Sequence, residues 1–154
     1  MRIEISKNEL LFDIRNKSHL EVAGISEAEA RYRVEAGSEK TDEIERDIIT
    51  SLAYLDNIDV RYLNVDMTCM AENNAGLPDT IIIDLLFSER RLDGKVQPLT
   101  DAIHAFLVDN TLALFYASVS QSDLQTKRAG LAAADAALVE NLIFKKKAPY
   151  IVRH

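Results

Sequence analysis

Asp101 and His104 lie three residues apart, a spacing that sets a carboxylate and an imidazole one turn apart on a helix, where such a pair can ligate a metal ion. Asp109 follows nearby. A metal centre needs three or four convergent ligands, however, and the other imidazoles, His19 and His154, belong to no second acid-and-histidine segment. His104 also falls four residues before Val108, in line with an apolar row, so the expected role is a packed histidine hydrogen-bonded to a neighbour. Cys69 is the single cysteine. As a nucleophile it would need an adjacent base and a lowered thiolate pKa, and nothing beside it supplies either. Between Met67 and Met70 it reads as a small apolar core residue. Ser88-Glu89-Arg90-Arg91 and Ser118-Val119-Ser120 lack the Gly-x-Ser-x-Gly turn, and the five glycines are too scattered for a phosphate loop. The expectation is therefore a protein with no catalytic residue, no metal and no cofactor, and not an enzyme.

Composition narrows the classes further. With 154 residues, 47% apolar and 28% charged, the chain fits a single domain over residues 1–154 with a core that needs no disulfide or metal. A net charge of −7 argues against a general nucleic-acid binder, and aromatics at 6% with no Trp argue against base-stacking platforms. No apolar stretch has the length of a membrane span or the pattern of a signal peptide, so a cytoplasmic protein without membrane contact is expected. Charge is unevenly spread. Lys145, Lys146, Lys147 and Arg153 put +4 on the last ten residues, leaving −11 on the other 144. That basic tail reads as a cationic cap on a helix end, or as a contact for an acidic partner surface or for nucleic acid.

The elements that would position these residues are mostly helical. Ser6/Glu9, Ser26/Glu29 and Ser122/Gln125 read as capping boxes, with Asp42/Glu45 a looser one, and predict helix starts near residues 7, 27, 43 and 123. Thr100 is a fifth candidate cap. Ile44, Ile48, Leu52, Leu55, Ile58 and Tyr62 form one helical stripe. From Thr100, two adjoining apolar rows that include Val108, Leu112 and Phe115 predict the most buried helix. A last helix from Asp123 aligns Leu124, Leu131, Leu138 and Leu142, with Ala132, Ala136, Val139 and Ile143 beside them. The short Ser120–Ser122 link makes these two helices an antiparallel hairpin. Between the helical segments, Val65 to Met70 alternates, and Thr80 to Phe87 is a β-branched run beyond an Asn/Gly/Pro turn; together they predict a β-hairpin over about residues 64–87. The fold class expected is mainly α: a helical bundle with a C-terminal helical hairpin and a small β-hairpin.

Two segments carry a resemblance. Ile5-Ser6-Lys7-Asn8-Glu9-Leu10-Leu11-Phe12-Asp13-Ile14 and Pro98-Leu99-Thr100-Asp101-Ala102-Ile103-His104-Ala105-Phe106-Leu107-Val108, with Leu114-Phe115-Tyr116 and Gln125-Thr126-Lys127-Arg128, resemble an uncharacterised family encoded in prophage-type gene clusters of gut bacteria. Residues 98–148 are similar to small head–tail connector proteins of tailed phages. The resemblance implies a structural adaptor of a phage-like particle, incorporated into a virion, whose partners are other copies or other phage-like structural proteins. The alternative is a monomeric helical binding or regulatory protein with no catalytic activity.

The contact surface expected for such an assembly is the apolar strand and the loop after it. Ile81, Ile83, Leu85 and Phe87 belong to a nearly continuous apolar run, which exceeds what one wet-faced strand should show. Arg90, Arg91 and Lys95 follow it, facing a stretch, residues 1–66, with nine Lys+Arg against 15 Asp+Glu. A head-to-tail homo-oligomer, closing into a ring, is the expectation.

Overall fold

The computed structural model describes residues 2–58, 62–65, 76–87, 92 and 96–144. Its elements run β1 (Arg2–Ser6), α1 (Lys7–Val22), α2 (Ala28–Val34), a 3₁₀ turn (Ser38–Lys40), α3 (Thr41–Ile58), β2 (Leu63–Val65), β3 (Thr80–Leu85), α4 (Val96–Ser118) and α5 (Ser122–Ile143). The mainly helical class with a β-hairpin holds. Among the described residues no helix is long and apolar enough to cross a membrane.

The hairpin has a third strand. β3 is central in an antiparallel sheet ordered β1-β3-β2, with Ile3 opposite Ile83 and Ile5 opposite Ile81 on one side, and Val65 opposite Ile83 on the other. Arg2-Ile3-Glu4-Ile5 alternates as a one-sided strand should, and Ile3 and Ile5 are buried while Arg2 and Glu4 are exposed. The chain passes from β1 straight into α1, where the Ser6 hydroxyl accepts from the Glu9 amide at 3.4 Å. β2 is anchored to α3 because Asp56 Oδ1 accepts from the Val65 amide at 3.0 Å. Met67, Cys69 and Met70 lie outside the described residues.

Burial on β3 alternates. Ile81, Ile83 and Leu85 are buried in the core, Ile82 and Asp84 are half-buried, and Leu86 is exposed. The apolar run is therefore covered by its own chain, because β1 and β2 flank it and the helices close over one face. This corrects the expected contact surface: Ile81, Ile83 and Leu85 have no side chain left for a neighbour. Phe87 is half-buried and packs edge-on against Tyr62. Arg90, Arg91 and Lys95 lie outside the described residues.

The starts of α1, α2, α3 and α5 lie within two residues of those expected, though most of the expected caps are not made. α3 begins at Thr41, directly after the 3₁₀ turn, and Glu45 pairs with Lys7 at 3.5 Å. α2 begins at Ala28 and α5 at Ser122, neither with a side-chain cap bond. α4 begins at Val96, so Pro98 occupies its first turn, where proline is tolerated, and the Thr100 hydroxyl donates to the Val96 carbonyl inside the helix. α4 has twelve buried residues and is the centre of the bundle.

α4 ends in a Schellman-type turn. The Gln121 amide donates to the Tyr116 carbonyl and the Ser120 amide to that of Ala117, with Ser120 in the left-handed region at φ 59°. This link folds α5 back antiparallel on α4. The buried line of α5 is Arg128, Ala132, Val139 and Ile143, while Leu131 and Leu138 point outward at 41% and 48% exposure. The middle of the leucine row, Leu131 and Leu138, thus lies on the outer face, while Leu124 and Leu142 at its ends pack partly against the core, and the row of Ala132, Ala136, Val139 and Ile143 faces inward. Small side chains let the helices approach closely, and Arg128 is drawn inward by carboxylates.

Candidate functional site

Asp13 lies opposite His104 on α4, while Ser18 and Glu21 near the end of α1 lie opposite Tyr116 near the end of α4. α1 and α4 therefore run parallel, and α5 antiparallel to both. This brings Glu21, Asp109 and Arg128, remote in sequence, to one buried point, each side chain 7–8% exposed. Arg128 Nε and Nη2 approach Glu21 Oε1 at 2.9 and 2.8 Å, and Nη1 donates to Asp109 Oδ1 at 2.7 Å. Burial works against the Arg128 charge, but the two carboxylates overcome it and raise its pKa.

The cluster extends on both sides. The Tyr116 hydroxyl lies 3.1 Å from Glu21 Oε1 and 3.2 Å from Ser18 Oγ, and burial raises its pKa. Ser18 Oγ accepts from the Ala36 amide at 2.8 Å, tying in the chain after α2. Lys127 reaches Glu21 Oε2 at 3.3 Å from the solvent side. Asp135, two turns beyond Arg128, has a buried Oδ2 without a hydrogen-bond partner. Its carboxyl is pushed up to about 7, first by burial and then by Asp109, with Lys17 and Arg128 opposing. Once protonated, it has a donor to offer Asp109, and the orphaned position is satisfied. The nearby Asp109 carboxylate thus favours the protonated form of Asp135.

His104 and Asp101 do not form a pair. The His104 ring meets Asp13 Oδ2 at 2.7 Å, and Asp101 instead accepts from Gln97 Nε2 at 2.8 Å. The histidine is thus hydrogen-bonded to a neighbour, on α1. Among the described residues no three His, Cys, Asp or Glu side chains converge as a metal set. Two open grooves flank Phe12: one of about 440 Å³ beside Asp13, Asp101 and His104, the other of about 650 Å³ beside Arg15, His19 and Glu35. In the second, His19 Nδ1 lies 2.7 Å from Glu35 Oε1.

The buried cluster was invisible to local patterns, because Glu21 and Arg128 look like ordinary helix-surface charges in sequence. Only the mismatch of Arg128 falling on the line of Ala132, Val139 and Ile143 signals a buried cation. Chemically, the cluster ties α1, α4 and α5 together through hydrogen bonds and ion pairs. No protein-family model, no curated protein and no solved structure matches the chain.

Proposed function

We propose that this protein is a noncatalytic assembly protein that works through protein–protein contacts, in the setting the connector resemblance implies, the neck of a phage-like particle. The observation that supports this reading is the outer face of α5. Between Lys127 and Glu140 that face presents Gly130, Leu131, Ala133, Ala134, Ala137 and Leu138, all exposed and none charged. Contiguous exposed apolar surface marks contact sites more often than isolated apolar residues do. Gly130 adds to it: a Cβ there would meet nothing within 4 Å, so its own fold gives no packing reason for a glycine that costs a helix interior about 1 kcal/mol against alanine. A second helix laid closely across this face supplies such a reason, and a second copy of the chain is the partner proposed. The buried ionic groups fit the same reading, since Glu21, Asp109 and Arg128 serve one another and touch neither groove beside Phe12.

One observation favours the alternative, a monomeric helical binding protein: Ile81, Ile83 and Leu85 are buried within their own chain. Light scattering over a range of concentrations separates the two. The assembly reading expects a mass above 17.3 kDa that rises with concentration and falls to the monomer in Leu131→Glu/Leu138→Glu, with an unchanged far-ultraviolet spectrum. A wild type that stays monomeric throughout overturns it.

A further inference from the structure

The stretch between α1 and α3 is fastened to the bundle at one end only. No residue from Ala23 to Arg33 is buried, and α2 contributes a single buried side chain, Val34, at its end. The start of α2 has no side-chain cap. A cleft of about 280 Å³ lies between α2 and the end of α1, with Val22, Ala28 and Arg31 among its walls. Arg31 Nε is buried without a hydrogen-bond partner, so the docked position carries a cost that water relieves on opening.

The fastenings gather at the other end. The Tyr32 and Arg33 carbonyls, left without intrahelical partners at the end of α2, accept from Lys40 Nζ at 2.6 and 2.9 Å, and the Glu35 carbonyl accepts from the same ammonium at 2.9 Å. That ammonium also lies over the Tyr32 and Phe115 rings, 5.4 and 5.3 Å from their centroids. Ala36 is buried, with its amide on Ser18 Oγ, and Glu35 meets His19. Lys40 itself belongs to the bundle. The 3₁₀ turn that carries it runs into α3, whose Thr41 accepts from Arg15 of α1 at 2.6 Å. One lysine on the fixed side thus ties three carbonyls of the loosely packed side. Under Ala36, the Ser18 hydroxyl also meets Tyr116, which in turn meets Glu21 of the ionic cluster, and both Ser18 and Tyr116 are fully buried.

We propose that residues 24–37 form a strap that lifts from the bundle as one unit while the other helices and the sheet stay packed, with Lys40 as its latch. Lifting wets Arg31, Ser18 and the Tyr116 hydroxyl and admits water to the Glu21 side of the ionic cluster; closing seals it. Gly24 and Gly37 bound the strap, and they take up the change in backbone angles. The proposal stands apart from the assembly reading, since the outer face of α5 plays no part in it.

Native-state hydrogen exchange tests this on the full chain. The amides of Arg31, Glu35 and Ala36 donate to the Glu27 carbonyl, the Arg31 carbonyl and Ser18 Oγ, so each reports opening at a different point of the strap. In the wild type the three should share one opening constant, larger than that of Leu112 in α4. Lys40→Met should raise all three by about tenfold or more, the factor that hydrogen bonds to a charged group are worth. Ile83→Val, which weakens the sheet, should speed exchange at Leu112 and leave the strap amides unchanged, because the lifted state keeps the sheet. Should Lys40→Met fail to fold, the wild type and Ile83→Val decide between them. The proposal is overturned by an Ala36 amide as protected as that of Leu112, by three strap amides with separate opening constants, by strap amides indifferent to a folded Lys40→Met, or by strap amides that follow Leu112 in Ile83→Val.

Discussion

The two ends of α4 are held by different physics. At its beginning the sheet supplies Ile3, Ile5, Ile81 and Ile83, and the helix answers with Leu99, Ile103 and Phe106, all of them buried. Burying such side chains stabilises by about 1.5–3 kcal/mol each, without regard to direction. Toward its end α4 offers Asp109 and Tyr116, and α1 and α5 answer with Glu21, Ser18 and Arg128. A buried ion pair contributes little net stability over a well-packed apolar replacement, yet it penalises every arrangement that leaves one charge unpaired. The sheet end thus supplies stability, while the ionic end selects a rotation for α5. That rotation is what leaves Leu131 and Leu138 outside.

The contrast breaks first at Arg128. Arg128→Ala should destabilise by about 3–5 kcal/mol in chemical denaturation, because Glu21 and Asp109 stay buried without their cation. Arg128→Met with Glu21→Gln and Asp109→Asn should recover much of that loss. At the sheet end, Ile83→Ala should cost about 2–5 kcal/mol through lost contacts and a cavity, with no dependence on salt or pH. Asp135→Asn sharpens the contrast. The wild-type carboxyl is raised from 3.8 to about 7 in the fold, so the folded state binds more protons than the unfolded one in between, and stability falls as pH rises through that window. The amide that replaces the carboxyl offers a permanent donor to Asp109. The variant should therefore melt higher than wild type at pH 8 and close to it at pH 4. A residual slope should remain from Asp47, which burial and then Glu43 push up to about 6. The smallest effect is expected at the link that delivers α5 to the cluster: Ser120→Gly relieves the left-handed strain at φ 59° and should stabilise by about 0.5–1 kcal/mol.

Much of the sheet end was legible in sequence, because period-two and period-four patterns are local. Thr80 to Leu85 reads as a strand, the Ser6/Glu9 cap is present, and the rows of α4 mark it as the central helix. β1 was equally legible in the alternation of Ile3 and Ile5, but its five residues give a weak signal beside the capping box that ends them. The outward turn of Leu131 and Leu138 was not legible. Hydrophobic rows rank faces by apolarity, and on α5 the less apolar face won because it carries Arg128 and small alanines. The partners of Arg128 are 107 and 19 residues away, so no window over α5 contains Glu21. His104 shows the same limit in miniature: its hydrogen bond was expected, but its partner, Asp13, lies 91 residues away.

The claim that burial beside Asp109 raises the Asp135 carboxyl of the ionic cluster is tested most directly by a carbon-13 titration of the aspartate carboxyls. The account predicts, beyond Asp47 near 6, an aspartate resonance that titrates near pH 7 and is absent from Asp135→Asn. A spectrum in which no aspartate other than Asp47 titrates above the ordinary value near 3.9, or in which the late step survives in Asp135→Asn, would contradict it.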